Sequence, residues 1–147
     1  MDETRKRPRG PAFWAAFGRA AALFAAVAAL SALLLPGGQM VLPEDPAALA
    51  KTAALTCVVR PILEEIFYRG LVQRLLGKLA GPRWALLGQA VLFGLAHGTA
   101  PQKLYGFAMG LVLGYCAQET GRVWPGAALH SINNWIVFAG CLAGRSV

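Results

Sequence analysis

Three short polar clusters interrupt an otherwise apolar chain, and their residue types are those of acid–base chemistry. The first is Glu64-Glu65-Ile66-Phe67-Tyr68-Arg69, the second Phe93-Gly94-Leu95-Ala96-His97, the third His130-Ser131-Ile132-Asn133-Asn134. In a helix, Glu65 and Arg69 stand four residues apart with the acid first, the favourable order for an ion pair. That pairing neutralises one carboxylate and leaves Glu64, rotated by about 100°, on a different face. A carboxylate left unpaired in this way is a candidate general base. Phe93 and His97 share a second helix face. His130 and Asn134 share a third, and both can donate hydrogen bonds. Such a pair could hold an oxyanion, polarise a carbonyl, or join Glu64 and His97 around a metal.

Each cluster also has a plainer reading. Glu65 and Arg69 could be a buried network that fixes helix packing, and this accounts for Glu64 poorly. His97 could be an interfacial or capping residue, and His130 with Asn134 could form interhelical hydrogen bonds. Together, both histidines of the chain and its adjacent glutamates fall in hydrocarbon-like surroundings on different segments. Ionisable groups placed in a membrane are costly and point to function by default.

The surroundings are membrane-like by composition. Of the 147 residues, 56% are hydrophobic and 14% charged, against about 25% charged in soluble domains. The apolar residues form five runs: about 12–35, 47–79, 84–97, 104–118 and 123–142. This predicts an all-α, polytopic membrane helix bundle of about five transmembrane or membrane-embedded helices. A basic cytoplasmic tail covers residues 1–11, and one membrane-embedded domain covers 12–147, with the chemistry-bearing core at about 47–143. The first run is longer than the h-region of a signal peptide and reads as a retained helix. It ends at Pro36-Gly37-Gly38. The second run is too long for a perpendicular crossing, so it must tilt, project or break at Pro61. Pro46 suits its first turn. The fourth run carries Gly106-x-x-x-Gly110-x-x-x-Gly114, a smooth face for close packing inside the bundle or against another subunit.

The net charge of +7 reads as a topology signal. Arg5, Lys6, Arg7, Arg9 and Arg19 crowd the N-terminus, and with five crossings Arg74, Lys78, Arg83 and Arg122 fall on the same side. Lys51, Lys103, Arg145, Glu44 and Asp45 fall on the other. Lysine and arginine stay inside, so the N-terminus is expected in the cytoplasm and the C-terminus outside. This layout argues against nucleic-acid binding. Cys57, Cys116 and Cys141 form no CxxC pair and read as small packing residues.

Glu64-Glu65-x-x-x-Arg69, Phe93-x-x-x-His97 and His130-x-x-x-Asn134 resemble the three signatures of the CPBP family of intramembrane proteases, in the family's order. That family includes the type II CAAX prenyl proteases and bacteriocin-processing membrane proteases. The resemblance implies a metal-independent glutamic endopeptidase without a cofactor. It assigns water activation to Glu64 and His97, oxyanion stabilisation to His130 and Asn134, and supporting roles to Glu65, Arg69 and Phe93. It implies a membrane-embedded or lipid-modified protein or peptide substrate in a lipid bilayer. The brevity of the core resembles short bacterial members such as the myxosortases, which implies a bacterial inner membrane. Two alternatives stay open: a zinc metalloprotease built on the same residues, and a non-catalytic immunity or scaffold protein.

Overall fold

A computed structural model describes residues 7–35 and 41–144. Arg5, Lys6, Pro36-Gly37-Gly38 and Arg145 lie outside the described residues. The described chain is all helical: α1 (Pro11–Leu34), α2 (Pro46–Ala80), α3 (Pro82–Leu95), α4 (Ala100–Thr120) and α5 (Trp124–Ala143). Of these, α1 and α2 are long and apolar enough to cross a membrane.

The starts and stops follow local chemistry. Asp45 caps α2 by accepting from the Ala48 amide at 2.7 Å, and Pro46 follows in the first turn. Thr99 and Gln102 form a capping box that starts α4 about four residues before the apolar run does. Such a box satisfies two amides that would otherwise lack partners. Gly81 (φ +83°) makes the turn between α2 and α3, and Gly121 (φ +66°) ends α4. Both conformations are strained for any residue with a Cβ.

Of the three options for the long second run, breakage at Pro61 does not occur: α2 continues through 35 residues. At 1.5 Å per residue it is about 52 Å long, well beyond a hydrocarbon core of about 30 Å. The continuity has a local cause. Residues Leu55–Val59 form a wider, π-type turn in which the Arg60 amide reaches back to Leu55 O. The extra residue in the turn accommodates Pro61, which has no amide hydrogen to donate. A second π-type stretch, Ile66–Val72, follows immediately after Glu65.

The helices run alternately up and down. The start of α1, the α2–α3 turn and the α4–α5 turn meet at one end of the bundle. There a Cβ on Gly121 would lie 2.9 Å from Arg7 Cγ, Arg74 and Arg122 line one small cavity, and the Arg122 guanidinium lies 4.9 Å from the Phe13 ring. Along α1, a stripe of Phe13, Ala16, Ala20 and Phe24 is buried. Ala20 and Phe24 pack with Met109, Val112, Leu113 and Cys116 of α4 and Leu129 of α5. At the other end Leu42, Ala53 and Cys57 pack on Phe138.

The glycine face of α4 is used inside the bundle. A Cβ on Gly110 would come within 2.9 Å of Ala90 Cα, and one on Gly114 would run into Gln89 Nε2. The buried α4 carbonyls on this face are then stapled by buried side chains. Gln89 donates to Gly110 O at 2.8 Å and Gln73 to Gly114 O at 3.0 Å. By contrast, large apolar side chains such as Leu30, Leu33, Leu63, Leu79 and Trp84 point outward, as a lipid-facing surface requires.

Candidate active site

Three consecutive turns of α2 set the site. Arg60, Glu64 and Glu65, Arg69 and Gln73 follow one another at helical spacing, but they divide between two faces. Glu65 and Arg69 are completely buried, whereas the Glu64 side chain keeps 29% of its surface exposed. The predicted pairing is present: Arg69 Nη1 lies 2.8 Å from Glu65 Oε1. Arg69 is further held by donating to Gly110 O at 3.4 Å and by packing 4.4 Å from the centre of the Phe93 ring. A buried arginine needs such multiple partners to offset its lost hydration.

His130 joins α5 to both glutamates. Its Nδ1 lies 3.2 Å from Glu65 Oε1, and its Nε2 lies 3.8 Å from Glu64 Oε2. A carboxylate accepts, so Nδ1 carries the proton in that contact. Close approach of α5 to Glu65 depends on Gly126, where a Cβ would lie 2.9 Å from Glu65 Oε2. The site therefore reads, in space, Arg69–Glu65–His130–Glu64.

Phe93, buried in α3, is the apolar partner of these groups. It meets His97 edge-on at 5.0 Å, His130 at 5.6 Å and Tyr68 at 5.1 Å. His97 Nδ1 lies 2.8 Å from Phe93 O. A carbonyl can only accept, so Nδ1 donates and Nε2 keeps its lone pair. The ring is pinned from the other side by Gly106, whose Cβ would fall 2.8 Å from Nδ1. His97 forms no hydrogen bond or ion pair with Glu64 among the described residues; the two are connected through Phe93 and His130.

Asn134 lies one turn beyond His130. Its Nδ2 donates to Thr56 O at 2.9 Å, which ties α5 to the first π-type turn of α2. Asn133 donates to Asn134 Oδ1 at 3.4 Å and accepts from the Tyr105 hydroxyl. An amide nitrogen has two hydrogens, so Asn134 retains a donor besides the one given to Thr56. Among the described residues, no group of three His, Cys, Asp or Glu side chains is gathered in a way that could hold a metal.

Thus Glu64, Glu65, Arg69, Phe93 and His130 are brought into direct contact, with His97 against Phe93 and Asn134 on the next turn of α5. Sequence reasoning passed over Arg60, whose Nε lies 3.3 Å from Glu64 Oε1. The signal was present: Arg60 is one helical turn before Glu64. It also passed over Tyr105 and Thr56, for which spacing along the chain offers no sign.

The profile of the family described as type II CAAX prenyl endopeptidase Rce1-like matches residues 46–136, well over half of the chain. A relative from Bacillus subtilis (strain 168), named Putative membrane peptidase YdiL, is 30% identical over 83 residues. That match covers 56% of this chain and 34% of the relative, so the chain spans about a third of that protein's length. No solved structure matches the chain significantly. The family match begins with α2 and ends in α5, and so contains all three polar clusters.

Proposed function

The chain belongs to the type II CAAX prenyl endopeptidase Rce1-like family, and on that premise we propose that it is a glutamate-dependent intramembrane endopeptidase acting on a membrane-associated or lipid-modified polypeptide. Membrane association follows from the family and from two apolar helices of crossing length. The observation that carries the reading is His130 between two carboxylates of unlike environment, Glu65 at 3.2 Å and Glu64 at 3.8 Å. Two glutamates so differently placed suit two roles, one structural and one chemical.

In this mechanism Glu64 takes a proton from a water molecule whose oxygen attacks the scissile carbonyl carbon. His97 assists through Nε2, the nitrogen left with a lone pair by the Phe93 carbonyl. The carbonyl oxygen becomes an oxyanion and receives a hydrogen bond from Asn134 and, with both ring nitrogens of His130 protonated, a second from its Nε2. One oxyanion donor is worth about 3–4 kcal/mol in other proteases. Glu64 then returns its proton to the leaving amine as the carbon–nitrogen bond breaks. Glu65, fixed by Arg69, holds His130 in orientation. Phe93 stands between the two imidazoles, edge-on to each.

The arrangement that best suits this chemistry is five crossings with the N-terminus in the cytoplasm of a bacterium's inner membrane. The gathering of Arg7, Arg74 and Arg122 at one end of the bundle supports that orientation, since positive charge marks the cytoplasmic side.

The test is terminal-peptide mass spectrometry on host membranes carrying equal amounts of wild type or Glu64→Gln. A small set of cleaved termini should vanish in the variant. Matching profiles would leave the polar cluster as architecture only.

A further inference from the structure

The side-chain amide of Asn134 donates from one atom and accepts at the other, so its use to an oxyanion depends on which way it faces. A flipped amide would present Oδ1 and repel the developing charge. The facing is decided by a chain of partners that starts on the backbone. Thr56 O can only accept, so the Asn134 atom 2.9 Å from it is Nδ2. Asn134 Oδ1 then faces Asn133, which presents its own Nδ2 at 3.4 Å. Asn133 Oδ1 is left toward the Tyr105 hydroxyl, which donates to it. Every link runs in one direction, from Tyr105 of α4 through Asn133 and Asn134 of α5 to Thr56 of α2.

A tie between helices would need less than this. The bond from Asn134 to Thr56 O already joins α5 to α2. Adjacent residues on a helix do not ordinarily face each other, yet Asn133 and Asn134 meet through their side chains. Their 3.4 Å contact is long for a hydrogen bond, so Asn133 must be held from its far side to keep it. Tyr105 supplies that hold, and its ring packs against the core shared by α1, α4 and α5. The next residue, Gly106, is the one whose Cβ would lie 2.8 Å from His97 Nδ1. One turn of α4 thus pins the imidazole assigned to water activation and steadies the amide assigned to the oxyanion. Chained hydrogen bonds also polarise one another, so the hydroxyl at the head of the chain makes Asn134 a stronger donor at its end.

We propose that Tyr105 is a positioning residue: acting through Asn133, it sets the facing of the Asn134 amide, so that the hydrogen not given to Thr56 points at the scissile carbonyl oxygen. The inference rests on the reading of Asn134 as an oxyanion donor. Tyr105 and Asn133 act through Asn134 and have no contact of their own with the reacting atoms. Removing the hydroxyl frees Asn133 to turn, and the Asn134 amide then samples both facings. The amide is needed in the transition state, so the loss falls on the rate of cleavage.

Asparagine occurs in this chain only at positions 133 and 134, which gives the relay its own spectroscopic signature. The full chain, grown with nitrogen-15-labelled asparagine and held in phosphatidylcholine nanodiscs, shows only these side-chain amides by NMR, and Asn134→Ala assigns them. Tyr105→Phe should move the resonances of Asn134, with which the hydroxyl makes no bond, and bring the water exchange of its two Nδ2 hydrogens together. In host membranes, termini that depend on Glu64 should form about ten- to a hundredfold more slowly in this variant, as for a misplaced group in an active site. Its melting temperature should stay within a few degrees of wild type. Asn133→Leu should slow cleavage to a similar degree, and adding Tyr105→Phe to it should change nothing further, because the relay is already cut. A change confined to the Asn133 resonances overturns the proposal. So does cleavage at the wild-type rate by Tyr105→Phe, or a double variant slower than Asn133→Leu, which would make the hydroxyl structural in its own right. Identical termini from wild type and Glu64→Gln would remove the protease reading instead; the asparagine resonances need no turnover and still decide whether Tyr105 sets Asn134.

Discussion

Two arginine–glutamate pairs occupy successive turns of α2, and they should respond oppositely to the same substitution. Glu65→Gln leaves buried Arg69 and His130 Nδ1 sharing a neutral amide oxygen in place of a carboxylate. Stranding one member of a buried pair costs about 3–5 kcal/mol. Thermal unfolding in detergent should show that loss, and Glu65→Gln with Arg69→Met should recover much of it. Glu64→Gln breaks a half-exposed contact, worth about 0–1 kcal/mol. It should keep the wild-type melting temperature within a few degrees while cleavage is lost. A large destabilisation by Glu64→Gln would make Glu64 structural and sink its chemical assignment. The Glu65–Arg69 pair was legible in the sequence because both members lie on one helix at a fixed spacing. The link from His130 to Glu65 was not, since it joins residues 65 apart through packing that no local rule specifies. For the same reason the expected partnership of His97 with Glu64 takes a different form, with Phe93 and His130 between them.

At the level of elements, helix contacts are set by where backbones can approach. Gly110 faces Ala90, with a Cβ meeting backbone at 2.9 Å, whereas Gly140 of α5 has nothing within 4 Å. Gly110→Ala must push α3 from α4 and disturb the carbonyl that Gln89 and Arg69 both use. Overpacking of this kind costs about 1–3 kcal/mol. Gly140→Ala should be neutral or stabilise by up to about 1 kcal/mol through helix propensity. The melting temperature should therefore fall for Gly110→Ala and hold or rise for Gly140→Ala, and no fall for Gly110→Ala would mean that α3 and α4 are not packed through this face. The five helices themselves were legible, with ends within a few residues, because Pro, Gly, Asp45 and Thr99 supply explicit start and stop signals. The glycine spacing announced a contact face but not its partner, which depends on Ala90 and Gln89 of another helix. Nothing in the sequence announced the π-type turns flanking Arg60–Glu65, because they arise from the balance between Pro61, the long-range packing and the helix ladder.

For the whole molecule, the alternating course of the helices makes one strong demand. If α1 through α5 each traverse the bilayer, the α1–α2 connection and the α2–α3 turn must lie on opposite sides. Val41, 95% exposed just before α2, reports on the first, and Arg83, at the start of α3, reports on the second. The three native cysteines can be replaced by alanine to clear the background; Cys57 and Cys116 are buried, and neither has a disulfide. In intact cells a membrane-impermeant thiol reagent should then label Val41→Cys, and should label Arg83→Cys only after permeabilisation. The reverse pattern would invert the bundle and place the basic end formed by Arg7, Arg74 and Arg122 outside, against the charge rule. Labelling of both positions from the same side would mean that α2 does not cross at all. Its length of about 52 Å would then serve a helix lying partly in the interface, and Glu64 would sit at the membrane surface. The outcome thus decides more than orientation: a crossing α2 holds Glu64 roughly midway between its charged flanks Lys51 and Arg74, where an ionisable side chain is costly to keep.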